Sequence, residues 1–203
     1  MADRGRAARP DQRAPGGSAR ERVLHVAYDL FCRHGVQAIG VDRIVAEAGV
    51  AKMTLYKHFR SKDDLIVAAL DRREELWTHG WLEQEIERRT DTPTERLLAI
   101  FDLFDEWFRR EDYEGCLFNN CLLEIHDPAS LIRVAAVQKR ANIRSLLQRL
   151  AEEGGAKFPE TLARDVQLLM TGAIVAADEG DVDAAQRASR IAALVIEREG
   201  LDP

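Results

Sequence analysis

Apolar residues recur every three or four positions through most of this chain, which is the spacing of one buried face of an α-helix. Val23, Ala27 and Phe31 follow this spacing near the N-terminus. A second run, at 97–108, repeats it with leucine and phenylalanine. Strict alternation of apolar and polar residues, which indicates a half-buried strand, extends over no comparable length. The pattern predicts an all-α protein.

Capping residues and helix breakers set the predicted boundaries. Ser18 and Glu21 have capping-box spacing, so a helix should begin there. A long helix should run from Ser61 into the high 80s and end at the stretch 90–93. The next helix should start at Thr94. Later helices are predicted at about 117–126, 128–153, 159–178 and 181–198.

Residues 41–65 carry the most specific local pattern. Ile44 and Ala48 share one helical face, and Gly49 supplies a backbone that can end the helix and turn the chain. Leu55 of the following short helix can then pack back on the first one. The segment therefore predicts a helix-turn-helix, in which the second helix enters the major groove of DNA.

The side chains that this arrangement leaves facing DNA mix small, hydroxyl and cationic groups. Arg43 is a candidate for base edges, since Arg favours guanine O6 and N7, and Lys52 and Thr54 are candidates for base edges or nearby phosphates. Lys62 lies in the first turn of the helix capped by Ser61, where free N–H groups and a cation can share a phosphate. Tyr56, Lys57, His58 and Lys62 are predicted phosphate contacts, with packing or capping as the alternative role of Tyr56 and His58. The predicted DNA contacts are Arg43, Lys52, Thr54, Tyr56, Lys57, His58 and Lys62.

This region resembles the DNA-binding domain of the TetR family of bacterial transcriptional regulators over about residues 20–66. Two departures from the family pattern are Val45, where alanine is common, and Arg60, where proline is common. The matching residues are Phe31, Gly35, Ile44, Ala48, Gly49, Val50, Thr54, Leu55, Tyr56, His58, Phe59, Ser61, Lys62 and Leu65.

The resemblance implies three parts. Residues 1–18, with four arginines among Ala, Gly and Pro, should form a disordered basic arm. Residues 19–66 should form the three-helix DNA-binding domain, and residues 67–203 a helical ligand-binding and dimerisation domain. The arm has two open interpretations, a contact with flanking DNA or a solubilising tail.

Charge is distributed unevenly about the same boundary. Residues 1–62 carry 12 Lys and Arg against six Asp and Glu, whereas residues 63–203 carry 17 against 29. The overall net charge of −6 is therefore the sum of a positively charged N-terminal part and a negatively charged remainder. This asymmetry favours an approach to DNA phosphates from one side.

Composition narrows the function further. No apolar run is long enough for a membrane span, and three cysteines without a secretory signal favour reduced thiols in the cytoplasm. We find no nucleophile motif, phosphate-binding glycine loop or metal-ligand spacing, so we expect no catalytic site, no metal and no cofactor. Cys116 and Cys121, five residues apart, are poorly placed to pair on one helix, which leaves a redox switch as a minor alternative.

The resemblance implies an inducer pocket in the aromatic-rich middle of the chain, although a plain hydrophobic core is the alternative for any one residue. Such pockets are mainly apolar with a few polar groups. The candidate lining residues are Trp77, Trp81, Phe101, Phe104, Trp107, Phe108, Phe118, Asn119 and Leu122.

Two apolar stripes near the C-terminus have the spacing of buried helix faces, and the resemblance implies that their helices form a homodimer interface. A two-fold dimer would read a palindromic operator on double-stranded DNA. The predicted interface residues are Leu162, Val166, Leu169, Met170, Ala173, Ile174, Ala188, Ile191 and Val195.

These features together predict a ligand-responsive regulator of transcription rather than an enzyme. The expected activity is repression, relieved when a small, largely apolar molecule binds a conformation that cannot hold DNA. A transcriptional activator and a thiol-based redox sensor are the alternatives.

Overall fold

A computed structural model of the protein describes residues 17–202, which contain ten α-helices, one π-helical segment and no strand. The predicted all-α class is confirmed. The predicted basic arm lies outside the described residues except for Gly17 and Ser18. No described helix is both long and apolar enough to cross a membrane. The helices are α1 (Ala19–His34), α2 (Val41–Ala48), α3 (Lys52–His58), α4 (Lys62–Arg73), the π-helical segment (Glu74–Glu83), α5 (Gln84–Arg89), α6 (Pro93–Phe108), α7 (Leu117–Glu124), α8 (Leu131–Gly154), α9 (Pro159–Asp178) and α10 (Ala184–Arg198).

Helices α1 to α3 form the predicted helix-turn-helix unit. The Ser18 hydroxyl caps α1 by accepting a hydrogen bond from the Glu21 amide at 3.3 Å. Gly49 ends α2 in the left-handed conformation, with φ of 63°, which glycine adopts without a steric penalty. Ile44 and Leu55 are fully buried between the helices. The turn is therefore set by one glycine and by apolar contacts on both sides of it.

The predicted long helix is present, but its middle is π-helical. Helix α4, the π-helical segment and α5 follow one another without interruption, and the Ser61 hydroxyl caps the start by accepting from the Asp64 amide at 3.0 Å. A β-carbon added to Gly80 would lie 2.8 Å from the carbonyl oxygen of Glu75, five residues earlier. Glycine at position 80 thus permits the wider π turn, a feature that helical periodicity did not predict.

Two hydrophobic cores divide the molecule. The N-terminal core joins α1 to α4 with residues of α7, including Phe118 and Cys121, and with Ile132 at the start of α8. The C-terminal core joins the π-helical segment, α5, α6, the remainder of α8, α9 and α10. Cys116 and Ile143 contact both cores. Helix α7, expected to belong to the second domain, therefore packs on the DNA-binding unit.

Arg73, at the end of α4, connects the two cores from the inside. Its side chain is only 3% exposed, and one guanidinium nitrogen donates to the Tyr28 hydroxyl of α1 at 3.2 Å. The carboxylate of Glu114 lies 3.6 Å from it, and the Trp77 ring centroid lies 4.6 Å from the guanidinium carbon. A buried cation held in this way orders several elements at once, since each partner comes from a different part of the chain.

Glu124, at the end of α7, holds the turn between α1 and α2. Its carboxylate accepts hydrogen bonds from the amides of Val36 at 3.2 Å and Gln37 at 2.8 Å. Gly35 has φ of 80°, and a β-carbon there would lie 2.6 Å from the carboxylate. Both the conformation and the close approach require glycine, so the contact is built into the backbone.

We expect Glu124→Ala to accelerate hydrogen exchange at the Val36 and Gln37 amides by roughly 10–100-fold, because bonds to a charged acceptor contribute ~1.5–3 kcal/mol each. Exchange measured by NMR at single amides tests this. Glu153→Ala, at an exposed site on α8, is the control. Unchanged exchange at both amides would show that the carboxylate does not hold the turn.

Two predicted helix starts were wrong for the same reason. Helix α8 begins at Leu131 rather than at 128, because the Asp127 carboxylate accepts from the Ala129 amide at 2.9 Å and forms a local turn. Helix α10 begins at Ala184 rather than at 181, where Asp181 accepts from the Asp183 amide at 3.1 Å. Aspartate offers the backbone a nearby acceptor, which competes with helix formation.

Candidate functional site

Helix α3 is buried on one side through Leu55 and exposed to solvent on the other. Leu55 is fully buried against α1 and α2, while Met53, Tyr56, Lys57 and His58 face solvent. Thr54 is half-buried. We call the exposed residues of α3 the recognition surface. Its anchor holds the helix at a fixed angle, so that these side chains project together.

Two of the predicted base-reading cations are held in ion pairs within this unit. Lys52 Nζ lies 2.7 Å from the Asp42 carboxylate, and Arg43 Nε lies 2.9 Å from Glu47. Both pairs are well exposed, and exposed pairs contribute little to stability because water screens them. A phosphate or a guanine edge can therefore displace the carboxylates at little cost.

Lys62 begins α4 beside the turn that Glu124 holds. Its ammonium group donates to the carbonyl oxygen of Gln37 at 3.5 Å, a long hydrogen bond. Partial burial lowers the pKa of Lys62, against the opposing effects of Asp63 and Glu124. The ammonium group is therefore weakly held, and Lys62 lies in the first turn of α4, where free N–H groups suit an anion.

Met53 is a residue that the predicted set of DNA contacts left out. It is 79% exposed, the most exposed of the large apolar side chains described. An apolar side chain at this place suits contact with the thymine methyl group, which lies in the major groove. The sequence signal was present, because Met53 falls on the outer face of α3, but apolar residues are usually assigned to cores.

The predicted pocket residues divide between the two cores. Phe101, Phe104, Trp107 and Phe108 are buried in the C-terminal core, and Trp77 and Trp81 pack against them. Ring centroids within this group lie 4.4–6.4 Å apart, the spacing of packed aromatic pairs. Phe118 and Leu122 belong to the N-terminal core instead, which corrects the prediction of one common lining. These α7 side chains thus pack with the N-terminal core.

Asn119 belongs to a polar cluster whose members are distant in sequence and were not predicted to lie together. The Arg140 guanidinium donates to Asn119 Oδ1 and, at 2.9 Å, to the Thr171 hydroxyl. Arg144, one turn further along α8, donates to Gln167 Oε1 at 3.1 Å. We call these five residues the Arg140 cluster. Its members come from α7, α8 and α9, and no local pattern links them in sequence.

Comparison with known proteins agrees with the geometry of the N-terminal unit. The family described as bacterial regulatory proteins, tetR family, matches residues 23–69, from α1 into α4. Residues 23–69 therefore have the sequence of a TetR-family DNA-binding domain. The expectation drawn from the resemblance is thus confirmed.

Individual TetR-family relatives cover different extents of the chain. It is 32% identical over 129 residues to the HTH-type transcriptional activator FasR of Mycolicibacterium smegmatis, covering 63% of this chain and 58% of FasR. It is 32% identical over 93 residues to the HTH-type transcriptional repressor KstR2 of the same species, covering 45% and 44%. The chain thus matches about half the length of these curated relatives.

A solved structure matches nearly the whole chain. It is a putative TetR transcriptional regulator from Streptomyces avermitilis, with a TM-score of 0.79 at 28% identity. The match covers 92% of this chain and all of the other. Similarity of fold thus extends through the C-terminal helices.

Most of the predicted dimer-interface residues pack inside the protomer. Seven are buried in, or packed against, its own C-terminal core: Leu162, Val166, Leu169, Met170, Ala173, Ile174 and Ala188. Val195 also packs on that core, while Ile191 is half-exposed. The stripes mark the faces with which α9 and α10 pack on their own protomer.

A different face of the same two helices is apolar and exposed. Leu168 is 71% exposed and Leu194 66%, and Val175 and Ile191 also reach solvent. Gly172 lies between the exposed positions of α9, with open space around it. We call these five residues the exposed stripe. Glycine inside a helix costs about 1 kcal/mol relative to alanine, and its lack of a side chain permits close approach of another helix.

The three cysteines are free thiols, and the structure brings no metal-binding group of His, Cys, Asp and Glu together within the described residues. Cys32 and Cys121 are buried, and Cys116 is partly buried at the start of α7. Burial raises the pKa of Cys121 to about 12. Thiolate, the reactive form, is therefore scarce at Cys121 near neutral pH.

We expect Cys121 to resist alkylation by iodoacetamide at pH 8 in the native protein. A thiol with a pKa of about 12 holds on the order of 10³-fold less thiolate at this pH than an ordinary cysteine with a pKa of ~8.5. Peptide mass spectrometry after timed labelling measures the modification, with the denatured protein as the control. Rapid labelling of native Cys121 would contradict this prediction and support a thiol-based redox sensor instead.

Proposed function

We propose that this protein is a DNA-binding transcriptional regulator that reads its operator with the recognition surface. The observation that carries the proposal is the position of Met53, Tyr56 and Lys57 on the outside of a helix that Leu55 anchors. Arg43, Lys52 and Thr54 supply further base contacts, and His58 and Lys62 bind phosphates. The TetR-family helix-turn-helix supports the same placement of α3 in the major groove.

Selection of bound sequences from random DNA tests this proposal. We expect an enriched palindrome with half-sites about one helical turn apart, ~34–36 Å, because a two-fold dimer presents two recognition helices. A Leu55-preserving variant without the outer side chains, Met53→Ala with Tyr56→Ala, is the control. Enrichment of no sequence by the unaltered protein would exclude specific DNA reading.

We expect Lys62→Ala to weaken binding to all DNA sequences alike and to reduce the slope of log K against log salt by ~1, because one phosphate contact is lost. Titrations at several salt concentrations measure both quantities. Lys157→Ala, far from α3 along the chain, is the control for loss of one charge. A changed sequence preference in Lys62→Ala would contradict the phosphate role.

The exposed stripe supports a homodimer as the active form. Leu168, Val175, Ile191 and Leu194 form an apolar surface at Gly172, where two copies can approach closely. Apolar patches of this kind mark association surfaces, because their burial removes apolar area from water. The dimer would bring two recognition surfaces to one face of the DNA.

Regulation by a small, largely apolar molecule is the second part of the proposal. A ligand changes DNA affinity only if it binds one conformation better than the other. The long helix that contains α4 and the π-helical segment spans both cores and would transmit the change. The Glu124 contact gives α7 a second connection to the DNA-binding unit.

Repression relieved by the ligand is the expected sign, with activation as the alternative. FasR is named an activator and KstR2 a repressor, and this chain is similar to both. In-vitro transcription from a template carrying the selected operator separates the two. A rise in transcript on addition of the protein would establish activation.

A further inference from the structure

Arg140 and Arg144 in the Arg140 cluster lie one turn apart on α8, and among the described residues neither forms an ion pair with a carboxylate. Their partners are the neutral groups of Asn119, Thr171 and Gln167. Two like charges at this spacing repel slightly, and both side chains are half-buried, so the arrangement is costly as it stands.

The surroundings do not lack acids that could have paired with them. Residues 63–203 carry 29 Asp and Glu. Lys139, the neighbour of Arg140 on α8, lies 2.7 Å from the carboxylates of both Asp71 and Glu74. Acidic partners are therefore absent beside Arg140 and Arg144 but present beside the neighbouring Lys139.

An unsatisfied donor lies next to the same guanidinium. Asn119 is 7% exposed, and its Nδ2 is buried without a hydrogen-bond partner. Its orientation is determined by Arg140, because the guanidinium can donate only to an oxygen and Oδ1 occupies that place. An unpaired buried amide donor costs about 1–3 kcal/mol. A ligand atom that accepts a hydrogen bond from Asn119 Nδ2 would remove this cost.

The neutral acceptors of the cluster are already used. The Thr171 hydroxyl donates to the Gln167 carbonyl oxygen at 2.8 Å, and the Gln167 side chain donates to the Arg140 carbonyl oxygen at 2.7 Å. What remains is positive charge and N–H donors. A carboxylate complements both, since its two oxygens can accept from the guanidinium fork and from the amide.

We propose that Arg140 and Asn119 bind the carboxylate of an organic acid with an apolar body. This proposal rests on the proposed function and names the chemistry of its ligand. Ile143 on α8 and Cys116 at the start of α7 are partly buried and contact both cores. We call the boundary between the two cores at these residues the seam, and it supplies apolar surface for the ligand. The acid group anchors at Arg140, and the apolar body lies along that seam.

The same site connects directly to the DNA-binding unit. Asn119 and Glu124 lie on one short helix, α7, about 7.5 Å apart along its axis at ~1.5 Å per residue. A carboxylate that draws Asn119 and Arg140 together would shift α7. The shift would reach the Val36 and Gln37 amides through Glu124.

Thermal unfolding of the full chain with matched pairs of compounds tests the proposal. The probes are hexanoate, octanoate, benzoate and phenylacetate, each paired with its uncharged carboxamide. We expect at least one acid to raise Tm by about 5 °C near saturation, since a ligand that binds only the native state stabilises it, and the matching amide to have no comparable effect. Equal shifts by acid and amide, or no shift by any acid, would overturn the proposal.

Two variants locate the site. Arg140→Met should abolish the acid-induced shift, whereas Arg149→Met, an exposed arginine on the same helix, should retain it. Asn119→Asp places a carboxylate beside Arg140, so it should raise Tm without ligand and remove the response to acids. A retained response in Arg140→Met or in Asn119→Asp would overturn the assignment.

This test uses no DNA, so its outcome is separate from that of the proposed function. If selection from random DNA yields no operator but the acids still stabilise the protein through Arg140, the ligand site stands without the regulator. If an operator is found and no acid stabilises the protein, the regulator stands and the carboxylate site is excluded.

Discussion

Replacing Leu168 and Ile191 together with aspartate should convert the protein to monomers and lower its affinity for a palindromic operator by about 10²-fold or more. Both side chains belong to the exposed stripe, and Leu168 is 71% exposed. In a dimer they would be buried, and an aspartate there would place an unpaired charge in an apolar contact. A monomer retains one recognition surface and loses half of the base contacts.

The magnitude follows from the cost of lost base recognition. Each base pair that is no longer read correctly costs ~1–3 kcal/mol, so loss of only two equals about 10²-fold in affinity. Light scattering gives the oligomeric state, and fluorescence anisotropy with labelled operator gives the affinity. Because the stripe lies outside the protomer core, the variant should keep its helical circular dichroism.

The matched control is Val134→Asp, an equally radical change at an exposed valine on α8, outside the stripe. It should leave both the dimer and operator affinity unchanged. Dimers that persist in the Leu168 and Ile191 variant would exclude the exposed stripe as the interface. Monomers that bind the full operator with unchanged affinity would instead show that operator recognition does not require the dimer.

Arg73→Met should destabilise the native state by about 3–5 kcal/mol, because it removes a buried cation that lies 3.6 Å from the Glu114 carboxylate. For a chain of this size, the corresponding fall in Tm is roughly 10 °C. Loss of the hydrogen bond to Tyr28 and of the stacking on Trp77 acts in the same direction. Urea unfolding followed by circular dichroism measures the change.

Two further variants distinguish the buried pair from a general charge effect. Arg72→Met removes the neighbouring cation, whose pair with Glu21 is more exposed, and should cost less than about 1 kcal/mol. Arg73→Met combined with Glu114→Gln removes both charges and should recover part of the loss. A single Arg73→Met variant as stable as Arg72→Met would show that Arg73 does not hold the two cores together.

The features predicted correctly from the sequence depend on neighbours along the chain. Gly49 ends α2, Ser18 caps α1 and Ser61 caps α4, because a cap or a turn needs only residues within four positions. The apolar spacing on α6 likewise predicted a buried face. The recognition surface followed from the same local geometry, although Met53 was left out of it.

The errors concern what a face packs against. The stripes on α9 and α10 were correctly predicted to be buried, but periodicity does not distinguish burial in the protomer from burial in a dimer. Phe118 and Leu122 were grouped with Trp77 because they are apolar and near in sequence, yet α7 turns them toward the N-terminal core. The partner of an apolar face is decided by how the helices assemble.

The all-α class, the helix-turn-helix and its family resemblance were predictable from the residues, because they rest on local spacing, caps and a specific motif. Which helix faces meet became clear from the folded arrangement, because burial depends on elements distant in sequence. It alone joined Arg73 to Tyr28 and Glu124 to the turn after α1. It also placed Arg140 beside the unpaired amide of Asn119, which turns a general ligand pocket into a proposed carboxylate site.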